Sequence, residues 1–177
     1  MIIFISGGAK NGKSMEAQRL AKRLAGEAGL FYVATMRPTD GEDRARIARH
    51  IEARAGWGFV TLECPEQIGR LADAPRPGSY LLDSVTALLA NEMFCTDGSF
   101  DAGAPARVRA ELAQFCREVD HAVIVSDTIG ADGERYGDWT EAYREGLGQT
   151  EQALAQWADV VLEACAGCYV VHKGELP

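Results

Sequence analysis

Gly7-Gly8-Ala9-Lys10-Asn11-Gly12-Lys13-Ser14 is the stretch that decides how this chain folds. The octet fits the pattern G-x-x-x-x-G-K-[ST], and each fixed position has a physical reason. Glycines let the backbone curl until several N–H groups face one anion. A helix opening at Ser14 adds the positive end of its dipole. Lys13 reaches the β- and γ-phosphates of a nucleoside triphosphate, and the Ser14 hydroxyl ligates Mg²⁺. Gly7 through Ser14 are therefore the expected cradle for ATP or GTP. The competing reading is a glycine turn with an exposed lysine, and the flanking sequence argues against it. Residues 2–5 form a wholly apolar, β-branched-rich run of the kind found in buried parallel strands. Residues 14–25 place Ala17, Leu20, Ala21, Leu24 and Ala25 at helical spacing, and Gly26 and Gly29 follow as stops. The motif thus lies after a buried strand and opens a helix.

The alternation continues outward from there. Strands are expected at residues 30–34, 59–62, 80–83, 122–126, 160–163 and 169–172, the last able to pair antiparallel at an edge. Helices are expected at residues 42–54, 65–71, 85–94, 107–119 and 140–157, with loops at 38–41, 75–78 and 97–105. Residues 127–138 are polar and contain Gly130, Gly133 and Gly137; a connection of that length is commonly functional. Strands alternating with helices imply an α/β fold with a mostly parallel sheet, here one domain over residues 1–177. Ligands in such sheets bind beyond the carboxyl ends of the strands. The octet, Asp83 and the loop from Asp127 all fall at such ends.

Composition excludes several classes. The chain has 177 residues, 47% hydrophobic and 25% charged, which is ordinary for a globular protein and argues against disorder. Its net charge of −8 and the absence of a basic tract oppose nonspecific nucleic-acid binding. No apolar run approaches the length of a membrane span, and the short apolar start is no signal peptide, so the sequence reads as cytoplasmic. Five scattered cysteines, Cys64, Cys95, Cys116, Cys165 and Cys168, do not form a disulfide framework. Cys165-Ala-Gly-Cys168 is the one close pair; lacking a second pair or neighbouring histidines it is weak evidence for zinc, and the cysteines read as structural. Ala166-Gly167 would form a turn between them.

Two further features bear on chemistry. Arg46, His50 and Arg54 recur every four residues and share one helix face, with Ile47 and Ile51 beside them to anchor the helix. Guanidinium groups around an imidazole suit phosphate chemistry, since arginine binds phosphate bidentately and neutral histidine is a nucleophile. The spacing alone favours the plainer reading, a solvated basic stripe. Asp83 also carries two readings: a carboxylate at a strand end that holds Mg²⁺ or its waters, or the N-cap of the helix that follows.

The chain resembles the bifunctional adenosylcobinamide kinase / adenosylcobinamide-phosphate guanylyltransferase family of cobalamin biosynthesis. The resemblance rests on the run from Ile5 through Ser14, on Tyr32-Val33-Ala34-Thr35, on Arg46-Ile47-Ala48-Arg49-His50 with Arg54 and Trp57 beyond, and on Leu81-Leu82-Asp83-Ser84-Val85-Thr86 continuing to Asn91. Residues 148–161, with Gln152, Ala153-Leu154-Ala155 and Ala158-Asp159, also fit. The resemblance implies a P-loop NTPase-like (RecA-like) sheet and a homo-oligomer, a trimer. It implies phosphorylation of the aminopropanol hydroxyl of adenosylcobinamide by ATP or GTP. It further implies GMP transfer from GTP to the resulting phosphate through a guanylylated His50. Thr35, Arg46, Arg54 and Asp83 would join the cradle around the nucleotide, with Ser14 and Asp83 on Mg²⁺ and His50 and Lys13 as catalytic groups. Two places depart from the family pattern. Asp127-Thr128-Ile129-Gly130 stands where Asn-Glu-Val-Gly is usual, and Glu151 stands where Asn precedes Gln. A single-activity kinase or nucleotidyltransferase on another hydroxyl-bearing small molecule, or a non-catalytic nucleotide-binding paralogue, remain as alternatives.

Overall fold

Buried apolar strands stack into the centre of the molecule. A computed structural model describes residues 1–129 and 133–177. In chain order the elements are β1 (Ile2–Gly7), α1 (Lys13–Ala25), β2 (Gly29–Ala34), α2 (Gly41–Ala53), β3 (Val60–Glu63), α3 (Arg70–Asp73), β4 (Gly78–Asp83), α4 (Val85–Met93), α5 (Ala104–Glu118), β5 (His121–Asp127), α6 (Asp138–Trp157), β6 (Val160–Cys165) and β7 (Cys168–Lys173). The strands form one sheet in the order β3-β2-β4-β5-β1-β6-β7. All neighbours are parallel except β6 and β7, which pair antiparallel at the edge as the sequence suggests.

Successive residues of a strand face opposite sides of the sheet. Ile3 and Ile5 of β1 therefore pack with Ala17, Leu20 and Ala21 of α1 on one side. Ile2 and Phe4 pack on the other side in the cluster that includes Leu88 of α4, Leu112 and Phe115 of α5 and Leu154 of α6. Covering both faces is what makes the central strands read as continuous apolar runs rather than alternating ones. The result is a P-loop NTPase-like sandwich with β5 at the centre of the sheet and β1 beside it. No helix among the described residues is long and apolar enough to cross a membrane.

Three expectations shift. The helix expected at residues 65–71 is instead a short turn of helix at α3. Gln67 adopts a positive φ of 54°, its N–H donating to the Glu92 carboxylate at 2.7 Å, while the Gly69 N–H donates to Glu111 at 3.2 Å. These tertiary bonds hold the segment open. Helix α5 begins at Ala104 rather than at 107, because Pro105 sits in its first turn, where a missing N–H costs nothing. Ile47 and Ile51 do not anchor α2 in the core: the helix buries no residue, and Ile51 is 52% exposed. Asp40 caps this helix, its carboxylate accepting from the Asp43 N–H at 2.9 Å. Its ties to the sheet come instead from the polar face described next.

Candidate active site

The carboxyl ends of β1, β4 and β5 lie side by side, with Gly7 opposite Asp127 and Asp83 opposite Val125 in the register. The octet, the histidine helix, Asp83 and Asp127 all line the cleft above them. After β1 the chain turns through Gly7 (φ 154°), Lys10 (φ 58°) and Gly12 (φ 91°) before α1 starts. Gly7 must be glycine: an added Cβ would strike the Ala164 carbonyl oxygen of β6. The Asn11 side chain donates to that same Ala164 carbonyl, and the Tyr169 hydroxyl donates to the Gly12 carbonyl at 3.1 Å. The loop is thus held from outside by the β6–β7 hairpin. Gly12 leaves the helix start without a side-chain cap, so the first-turn N–H groups and the dipole remain available to an anion.

Lys13 is almost fully buried. Its ammonium donates to the Gly8 carbonyl at 2.8 Å and pairs with Asp127 Oδ1 at 2.6 Å. Both partners lie around the loop where phosphates would bind. Ser14, Arg46, His50, Asp83 and Asp127 share with Lys13 the lining of one cleft of about 470 Å³. Ala9, Lys10, Asn11 and Gly12 line it too, so the octet and the histidine helix face each other across it.

His50 projects from α2 toward the end of β4. Its Nδ1 lies 3.5 Å from Asp83 Oδ2 and 3.4 Å from the Tyr32 hydroxyl. Tyr32 in turn donates to Asp83 Oδ2 at 3.0 Å. Burial pushes the Asp83 carboxyl up, but the hydrogen bond and charge of His50, the Tyr32 hydroxyl and the charge of Arg46 outweigh it and hold the group below the usual carboxylate range. Asp83 is therefore ionised near neutrality. Burial, reinforced by that charge, pushes the Tyr32 phenol above its ordinary value, so it remains a donor. An ionised carboxylate facing Nδ1 favours Nδ1–H, which leaves the Nε2 lone pair as the reactive one. Asp83 is not the cap of α4; the Ser84 hydroxyl takes that place, accepting from the Ala87 N–H at 3.3 Å.

Arg46 borders the cleft and a smaller cavity of about 60 Å³ behind it, and His50 and Asp83 also border both. Arg54 reaches only the cavity side. It stacks over the Tyr32 ring at 3.9 Å and donates to Thr61 Oγ1 at 3.2 Å, locking the tyrosine that orients Asp83. Thr35 is fully buried. Its hydroxyl donates to the Ser84 carbonyl at 2.9 Å and accepts from the Ser84 N–H at 2.7 Å, clamping the ends of β2 and β4 behind the cleft. Ser14, Asp83 and Asp127 offer only hard oxygen donors, the type Mg²⁺ takes while keeping several waters and phosphate oxygens. Among the described residues no three His, Cys, Asp or Glu side chains converge as a metal site.

Asp127 is the residue that motif reading did not assign. The available signal was its position, a carboxylate ending an apolar strand as Asp83 does. Behind it lies a polar network: the Asp127 N–H donates to Thr86 Oγ1 at 2.8 Å, and Thr86 Oγ1 lies 3.3 Å from Ser126 Oγ. Glu151 of α6 completes this network with one carboxylate oxygen buried and unpartnered. Burial raises its carboxyl above the ordinary value, a hydrogen bond from Ser126 opposes this, and the Asp127 charge adds to it. A raised folded-state value means the native protein binds the proton more tightly than the unfolded chain, so stability falls as pH rises through the ordinary glutamate range and beyond. Glu151→Gln is accordingly expected to stabilise the fold, and by more at pH 8 than at pH 4.5, in urea melts at the two values. Equal effects at both would mean that the charge is not the cause. Gly130, the last residue of the departing tetrapeptide, lies outside the described residues.

Comparison with known proteins identifies the family. Residues 3–171 match the family described as cobinamide kinase / cobinamide phosphate guanyltransferase. The bifunctional adenosylcobalamin biosynthesis protein CobP of Pseudomonas aeruginosa is 34% identical, over 97% of this chain and 96% of its own. The protein CobU of the same description from Salmonella typhimurium is 30% identical, over 98% of this chain and 100% of its own. A Pyrococcus horikoshii protein of solved structure shares the fold with a TM-score of 0.53 at 7% identity, covering 98% of this chain and 86% of its own. With a match running almost from end to end, the chain belongs to the cobinamide kinase / cobinamide phosphate guanyltransferase family.

Proposed function

We propose that the chain carries both activities for which its family is named: phosphorylation of adenosylcobinamide by ATP or GTP, and GMP transfer from GTP to adenosylcobinamide phosphate through His50. The observation that carries this reading is the placement of His50 in the same cleft as the phosphate loop, with Asp83 against its Nδ1. A kinase needs the cradle alone. A histidine oriented by a carboxylate and open to that cradle is what a covalent nucleotidyl step adds.

In the first step the acceptor hydroxyl oxygen attacks the γ-phosphorus and the nucleoside diphosphate leaves. Lys13 follows the β- and γ-phosphates and neutralises the leaving charge, giving up Asp127 as it does so. Asp127, freed at the cleft wall, is then the nearest carboxylate to the loop lysine and a candidate acceptor for the hydroxyl proton. In the second step His50 Nε2 attacks the α-phosphorus of GTP and pyrophosphate leaves. The phosphate of adenosylcobinamide phosphate then displaces His50 and takes the GMP. Arg46, on the wall shared by both cavities, offers charge to the α-phosphate, while Arg54 acts by holding Tyr32. Ser14 and Asp83 would hold Mg²⁺, directly or through its waters, and the ion would supply further neutralisation of the phosphates.

The same reading includes a homo-oligomer, a trimer by resemblance. Its support is an α2 and β3 edge that leaves Ile51 and Val60 about half exposed.

The test is product analysis. Purified protein, adenosylcobinamide and Mg²⁺-GTP are expected to yield first the phosphate and then the GDP-linked corrinoid, with release of pyrophosphate. Formation of the phosphate alone would remove the guanylyltransferase half. No change in the corrinoid while GTP is bound would point to a different acceptor.

A further inference from the structure

We propose that Cys165 and Cys168 form a dithiol site that closes to an intramolecular disulfide by exchange with a small-molecule disulfide, and that the phosphate loop senses the closure. The two residues end β6 and begin β7, and they are register partners across the turn. Ala166 (φ 49°) and Gly167 (φ 81°) supply the left-handed pair of a tight two-residue hairpin. Residues closing such a turn exchange both backbone hydrogen bonds and hold their Cα atoms about 5.5 Å apart. Disulfides span Cα separations of about 4.4–6.8 Å, with a mode near that value. Cross-strand partners also put both side chains on one face of the sheet.

That face is the solvent side. Cys165 and Cys168 are both free and exposed, whereas Ala164 next to them is buried. Both thiols are therefore open to reagents in solution. Cys116 makes the contrast: burial pushes its thiol up to about 12, and burial also raises the buried Cys64. Only accessible thiols form the thiolate that attacks disulfides. Zinc would ask for four ligands, and no three candidate ligands converge among the described residues.

The neighbours of this pair hold the nucleotide loop. Ala164, just before Cys165, accepts from the Asn11 side chain and leaves no space for a Cβ on Gly7. Tyr169, just after Cys168, donates to the Gly12 carbonyl at 3.1 Å. Cross-strand Cβ atoms stand about 4.5–5.5 Å apart, and a disulfide draws them to about 3.8 Å. That contraction falls between the two residues that fix the loop. Displacing Ala164 or Tyr169 loosens a cradle whose anion affinity depends on converging N–H groups.

The chemistry balances without another reactant. One cysteine thiolate attacks a sulfur of the small disulfide, forming a mixed disulfide and releasing one small thiol. The second thiolate attacks the protein sulfur of that mixed disulfide and releases the other. Two protein thiols are oxidised by two electrons, and the small disulfide is reduced to two thiols.

The experiment equilibrates reduced full-length protein with oxidised glutathione, quenches it in acid, and reads intact mass and mapped peptides. The expected product has lost two hydrogens and contains a Cys165–Cys168 cross-link. Cys165→Ser and Cys168→Ser, at exposed positions, are each expected to stop at a glutathione adduct. GTP should bind the cross-linked protein at least about fivefold more weakly than the reduced protein, the low end of ordinary coupling between sites. Reductant should restore the affinity, and the double serine variant should show no redox dependence. Persistent glutathione adducts on wild-type protein, or unreacted thiols, would overturn the site. Equal GTP affinity in the cross-linked and reduced forms would overturn the sensing. The mass readout does not depend on either enzymatic activity.

Discussion

Lys13→Ala is expected to lower phosphoryl transfer from GTP by about 10³-fold, in the range found when a preorganised donor to developing phosphate or oxyanion charge is deleted. The side chain is 6% exposed and its ammonium is fixed between the Gly8 carbonyl and Asp127 Oδ1. The lysine is thus already ordered at the loop, and little conformational entropy remains to be lost when it turns to the phosphates. The deletion also leaves Asp127 without its cation, which repels the incoming triphosphate. Lys13→Ala/Asp127→Asn separates the two effects. It is expected to recover part of the lost GTP affinity and little of the lost turnover, read by titration calorimetry and single-turnover kinetics. Turnover within about tenfold of wild type in Lys13→Ala would remove the lysine from the mechanism.

Asp83→Asn is the second large effect. The substitution keeps the shape but removes the charge that faces His50 Nδ1 and accepts from Tyr32. An amide no longer selects the Nδ1–H tautomer, so the reactive Nε2 lone pair is lost from most molecules. A comparable carboxylate-to-amide change in a serine protease triad costs about 10⁴-fold. With the ring in this cleft already held loosely at 3.5 Å, a loss of at least about 10²-fold in the rate of guanylylation is expected. GTP affinity should move by less than about tenfold, since the loop N–H groups, Lys13 and Ser14 remain in place. A rate loss that merely follows a loss of GTP binding would leave Asp83 with a nucleotide or metal role alone and remove it from orienting His50. Tyr32→Phe, which removes one hydrogen bond to the same carboxylate, should fall in the same direction by a smaller factor.

The layout of the fold was legible because its signals are local. A buried parallel strand announces itself as an apolar run, and a strand followed by a glycine-rich octet and a helix leaves few topologies open. The antiparallel edge followed from the short spacing of two apolar runs around Ala166-Gly167. The errors have a common cause, tertiary contacts that local pattern does not carry. Pro65 to Leu71 resembles a helix until Glu92 and Glu111 take the backbone N–H groups. Ile47 and Ile51 resemble core anchors, yet they line a cavity, because α2 approaches the sheet through His50 and Arg54 rather than through its apolar stripe.

The site divides in the same way. Residues of the octet, His50, Arg46 and Asp83 share one cleft, and each was visible as a residue type in a telling place. The roles of Thr35 and Arg54 were not visible. Both lie within or beside a family motif, but Thr35 clamps strand ends and Arg54 braces Tyr32. The reverse holds for Asp127. In the sequence it stands out only as a departure from the family pattern, and the structure brings it against the loop lysine at 2.6 Å. The contact between Tyr169 and Gly12 joins residues 157 apart in sequence, a separation that no motif spans.

In the proposed mechanism His50 carries GMP. Incubating the protein with α-³²P-GTP and Mg²⁺, then quenching, should give a covalent label that is lost in acid, survives base, maps to the peptide containing His50, and is absent in His50→Ala. A label of that kind persisting in His50→Ala, or no label under conditions where GTP is bound, would contradict the account.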